Sequence, residues 1–86
     1  MKLNINGCRS FCKKHGITDY VELANSLGLS VVVVRLLEQG KQIGYDAVKD
    51  IYNKYGEKAV EKLIDFEEET LNGFKSKYVL VGNKLY

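Results

Sequence analysis

Apolar residues recur along most of this chain at helical spacing, and a glycine marks where each run stops. Cys8, Phe11, Cys12 and His15 fall at i, i+3, i+4 and i+7, which predicts a first helix from about Gly7 to His15, closed by Gly16. Ahead of it, Lys2-Leu3-Asn4-Ile5 alternates and predicts a short strand. Thr18 or Asp19 can cap a second helix by accepting backbone N–H bonds. Glu22 suits its positive end, and Leu23, Ala24 and Leu27 face inward before Gly28 stops it. Ser30 then caps a third helix from Val31 to about Gln39, which Gly40 ends.

In that third helix, propensity and punctuation disagree. Val31, Val32, Val33 and Val34 are β-branched, and each loses rotamer freedom in a helix at a cost of a few tenths of a kcal/mol relative to alanine. Taken alone, SVVVVRLL reads as a buried strand. The caps at both ends and the short spacing from Gly28 to Ser30 decide for helix.

Val48, Ile51, Tyr52 and Tyr55 repeat the helical spacing and predict a fourth helix from about Tyr45 to Tyr55, stopped at Gly56. A fifth is predicted over residues 57–72, with Val60, Leu63, Ile64, Phe66 and Leu71 lining one face. Glu67, Glu68 and Glu69 near its end oppose the helix dipole, so that end frays or meets a basic neighbour. Residues 76–86 read as a β-hairpin: Gly82-Asn83 suits a two-residue primed turn, placing Leu80 opposite Leu85 and Val79 opposite Tyr86. Two strands alone are marginal, and the third strand is either the Lys2–Ile5 segment or the hairpin of a second copy.

Composition narrows the class. With 86 residues, 45% apolar and 28% charged, residues 1–86 form one small folded domain, whose modest core favours a homodimer. The net charge of +2 is unevenly spread: residues 1–41 carry +3, residues 42–74 carry −4, and residues 75–86 carry three lysines and no acid. No apolar run approaches the roughly 18 residues of a membrane span and no signal peptide is visible, so a cytoplasmic location is expected.

Cys8 and Cys12 then read as small core thiols. Together with His15 they offer three zinc ligands on one face, but structural zinc sites draw ligands from separate elements and no fourth is nearby, so no metal is expected. One histidine, no nucleophile elbow and no glycine-rich phosphate loop leave nothing to support an enzyme or a cofactor. Tyr52 and Tyr55 lie near Lys49, Lys54 and Lys58, yet their spacing favours core or dimer interface over base stacking.

Around the turn, Glu22-Leu23-Ala24, Leu27-Gly28-Leu29-Ser30, and Val34, Leu37, Glu38, Gly40 and Lys41 resemble the helix-turn-helix of the Cro and phage-repressor family of transcriptional regulators. With Tyr45–Tyr55 as the next helix, the resemblance covers roughly residues 7–56. The remaining 30 residues lie outside it, so the chain is expected to be a mainly α, five-helix domain with a repressor-like core and, from its own pattern, a short C-terminal hairpin; the resemblance implies a dimer that binds double-stranded DNA. Val31, Val32, Val33, Arg35 and Leu36 would then meet the major groove, Thr18, Lys41 and Gln42 would hold phosphates, and Ser30, which caps the helix, belongs to the same DNA-binding set.

The valines depart from the family pattern, since base edges are usually read by polar side chains. Valine can touch only thymine methyls, and Arg35 is the single candidate for a bidentate guanine contact. Three readings of the valine face stand side by side. It meets DNA, it packs into the core, or it captures a protein such as a repressor, as small antirepressors do.

Overall fold

The computed structural model describes all 86 residues and is mainly helical. Its order is β1 (Lys2–Leu3), α1 (Ile5–His15), α2 (Tyr20–Leu27), α3 (Val31–Glu38), α4 (Tyr45–Tyr55), α5 (Glu57–Leu63), β2 (Ile64–Asp65), α6 (Leu71–Lys75), β3 (Leu80–Val81) and β4 (Lys84–Leu85). No single helix is long and apolar enough to cross a membrane.

One continuous core runs through it, from Leu3 and Phe11 through Leu27, Val34, Val48 and Ile51 to Val60, Leu63, Phe74 and Leu85. Burying such apolar surface is the main term that holds a chain this short together. Every buried residue is apolar.

The N-terminal segment differs from the expected four-residue strand. Only Lys2 and Leu3 form the strand, because Asn4, though still extended, is a helix cap whose side chain accepts the Gly7 N–H at 2.9 Å. Helix α1 therefore begins at Ile5, two residues earlier than the apolar stripe indicated. Strand β1 pairs antiparallel with β2, Lys2 opposite Asp65 and Leu3 opposite Ile64, and so does not join the C-terminal hairpin.

That pairing also explains why the expected helix over 57–72 is two elements, giving six helices rather than five. Helix α5 stops at Leu63 because Ile64 turns extended (φ −116°, ψ 128°) to meet Leu3. The chain resumes as a helix only after Thr70, whose hydroxyl accepts the Gly73 N–H at 3.0 Å. Glu67 to Glu69 lie in the intervening turn, where basic neighbours meet them: Lys2 sits 3.8 Å from Glu67 and Lys77 sits 2.9 Å from Glu69.

The hairpin has the expected register, Leu80 opposite Leu85, with Val79 and Tyr86 exchanging backbone hydrogen bonds at 2.9 and 2.8 Å. Gly82 takes φ 61° while Asn83 does not enter the left-handed region, the pattern of a type II′ turn. It stays two-stranded, docked on α4 through buried Leu85.

Candidate recognition surface

Helices α2 and α3 are joined by three residues and meet at 98°. Local chemistry sets both ends of that joint. Asp19 accepts the Glu22 N–H at 2.8 Å while Glu22 accepts the Thr18 N–H at 3.1 Å, so the first turn of α2 is closed from both sides. Gly28, at φ 71°, adopts the left-handed conformation that lets the chain leave α2, and Leu29 N–H bonds back to the Ala24 carbonyl at 2.9 Å. Ser30 Oγ accepts the Val33 N–H at 3.2 Å and starts α3. Four valines become helical here because caps and packing outweigh a summed propensity cost of about 1–2 kcal/mol.

The valines divide between core and solvent. Val34 is fully buried with Leu37, and Val31 is half-buried against the core. Val32 is 67% exposed, Val33 38% and Leu36 41%, so the outward face of α3 is a strip of uncovered apolar side chains. The hairpin does not lie over it, and the reading in which the whole run is core holds for Val34 alone.

Arg35 is exposed but held. Its guanidinium lies 5.5 Å from the centroid of the Tyr20 ring, and the Tyr20 hydroxyl donates to Glu38 Oε2 at 2.6 Å. The acceptor and negative charge of Glu38 push the Tyr20 phenol above its ordinary range. Tyr20 and Glu38, which sequence reasoning did not single out as a pair, therefore tie the start of α2 to the end of α3. Neither periodicity nor capping signals a contact eighteen residues apart.

The remaining candidates spread around this face. Thr18 is exposed, with its backbone N–H already committed to Glu22, and Ser30 is exposed with its hydroxyl committed to the cap. Just past α3, Lys41 is exposed and Gln42 Oε1 accepts the Met1 amine at 2.7 Å. The carbonyl of Met1 accepts the Ile43 N–H at 2.9 Å and the Lys2 backbone bridges to Gln42, so the terminal amine lies beside the segment that leaves α3 while the Lys2 ammonium reaches Glu67.

Two clefts flank α1. One, of about 740 Å³, is lined by Cys8, Cys12, Arg9, Lys13, Tyr20 and Glu38. Burial, then the neighbouring Cys12, pushes the Cys8 thiol up to about 12. The other, of about 570 Å³, gathers Lys14, His15, Lys58 and Lys62 around Tyr55. His15 packs at a tilt on Phe11, ring centroids 4.3 Å apart, in that second cleft, so it does not share an opening with the two cysteines. Tyr52 is buried, and half-buried Tyr55 donates to the Ser26 carbonyl at 2.8 Å; both serve the packing of α4.

Set against family models, curated proteins and solved structures, the chain has no match in any of the three.

Proposed function

We propose that this protein is a helix-turn-helix regulator of transcription that binds double-stranded DNA as a dimer, through the outward face of α3. One observation carries the reading: α3 leans on the core through Val34 and Leu37 while Val32, Val33, Arg35 and Leu36 are exposed along its outward face. A short helix held at 98° to its predecessor, with its outer row uncovered, has the form that enters a major groove. The valines and Leu36 would pack on thymine methyls, and Arg35, swinging from Tyr20, would supply the guanine contact. In this reading Lys41, exposed just past the end of α3, would meet a phosphate. The resemblance of Leu27-Gly28-Leu29-Ser30 and its surroundings to phage-type regulators points the same way.

The test is a titration of mixed genomic DNA fragments against salt, with Arg35→Ala alongside. Binding should weaken steeply as salt rises, and the variant should lose sequence preference by about 1–3 kcal/mol at one base pair. Absence of binding at low salt would refute the reading.

A second reading is favoured by the charge of the same face. Across residues 19–41, Asp19, Glu22 and Glu38 stand against Arg35 and Lys41, and exposed valines on a helix pair with no net basic charge suit a protein partner such as a repressor. Val32→Glu separates the two. In this reading the folded variant loses capture of the protein partner, and retained capture would end it.

A further inference from the structure

The two edges of the C-terminal hairpin are not alike. In an antiparallel pair, residues alternate between those whose backbone groups face the partner strand and those whose groups face outward. Val79 and Tyr86 exchange both bonds with each other, so Leu80 and Leu85, one step along, point their N–H and C=O away from the hairpin. On β4 that outward pair is already used. Asn53 accepts the Leu85 N–H at 2.8 Å and donates to the Leu85 carbonyl at 2.9 Å. On β3 the outward groups of Leu80 have no partner within the chain, and Val79, Leu80 and Val81 are each more than half exposed.

We infer that the β3 edge pairs with the β3 edge of a second copy, antiparallel and centred on Leu80, making a four-stranded sheet ordered β4–β3–β3′–β4′. Leu80 is the only possible centre. The Tyr78 N–H is taken by the Lys75 carbonyl, and Gly82 lies in the turn. Centring on Leu80 makes the strand self-complementary: Val79 faces Val81 of the other copy, twice by symmetry, and both residues lie on the same exposed face of the hairpin. Across the opposite face runs a row of four leucines, Leu85 and Leu80 from each copy.

Charge fits the same register, although residues 75–86 carry three lysines and no acid. Lys77 falls opposite Asn83 of the second copy. The two Lys84 residues sit on the outer strands, three strand spacings across and two residues along, about 16 Å apart and beyond the screening length at physiological salt. Another strand could use this edge, but a second copy meets it with valine against valine and with no lysine facing a lysine. The inference deepens the dimer in the proposed function and does not depend on DNA.

Sedimentation velocity without DNA, from micromolar to millimolar protein, tests it, with Leu80→Pro as the principal variant. Proline is tolerated at an edge position whose N–H faces solvent, so Leu80→Pro should fold while its dimer dissociation constant rises about tenfold or more through loss of the reciprocal pair of bonds. In the wild type, exchange of the Leu80 amide should slow as concentration rises while that of Leu85 stays constant. The register has its own check. Val79→Lys with Val81→Lys should weaken association, and Val79→Lys with Val81→Glu should restore it. A wild type that stays monomeric at millimolar concentration, or association indifferent to Leu80→Pro, overturns the inference whatever the DNA titration shows.

Discussion

Asn53 closes the outer edge of the last strand by pairing its carboxamide with both backbone groups of Leu85, at 2.8 and 2.9 Å. A side chain thus takes the place a third strand would hold, which lets a two-stranded hairpin dock on α4. Leu85 itself is 1% exposed, so water cannot easily replace the amide. Asn53→Ala should therefore destabilise the fold by about 2–4 kcal/mol, well beyond an ordinary surface change. Urea unfolding checks this, and rapid exchange of the Leu85 amide in the variant would confirm the cause.

Two glycines should respond to alanine for opposite reasons. Gly7 lies inside α1, where alanine ordinarily adds about 0.5–1 kcal/mol of stability. A Cβ at this position, however, would sit 1.6 Å from the Lys62 carbonyl oxygen, because α1 rests on α5 backbone to backbone. Gly7→Ala should cost about 3 kcal/mol or more as the two helices are forced apart. Gly28 has open space around it but needs φ 71°, so Gly28→Ala should cost only about 1–2 kcal/mol. Parallel thermal unfolding of the two variants tests the ranking, and equal losses would show that α1 and α5 can separate cheaply.

These two glycines also mark how far the sequence could be read. Gly28 announced itself, because Leu27-Gly28-Leu29-Ser30 carries a stop signal and a start signal that act within a few residues. The hairpin was equally legible, since Gly82-Asn83 fixes register locally. Gly7 gave no sign of its role, which depends on a helix more than fifty residues away. The break in the 57–72 helix was hidden for the same reason: the apolar spacing of Leu63, Ile64 and Phe66 is compatible with helix, and pairing with Leu3 overrides it. A local hint existed in Thr70 with Gly73, and in three glutamates at the wrong end of a helix dipole. On the outward face of α3, the exposed and buried valines could be sorted only once the helix had something to lean on. The Tyr20–Glu38 contact follows from the 98° crossing, which no periodicity encodes.

Alkaline pH should separate groups held neutral by the fold. Burial, followed by the neighbouring Cys12, raises the Cys8 thiol from its ordinary 9.0 to about 12. The hydrogen bond to Glu38 raises the Tyr20 phenol from 10.0, and burial raises that of Tyr78. In each case the folded state favours the protonated form. The stability this contributes is complete below the unfolded value and is lost as pH climbs through the folded one. The thermal midpoint should accordingly hold steady as pH 9 is approached from neutrality, decline from there as Cys8 loses its advantage, and fall faster above pH 10 when the two tyrosines join. Cys8→Ala should delay the onset to pH 10 even though it lowers the midpoint at neutral pH by opening a small cavity. The same burial predicts unequal thiols: at pH 8 a water-soluble disulfide reagent should modify half-buried Cys12 first, leaving Cys8 until the chain unfolds. Two thiols reacting at one fast rate in the native protein would mean that the cleft beside α1 opens readily, and the alkaline onset at pH 9 should then be absent as well.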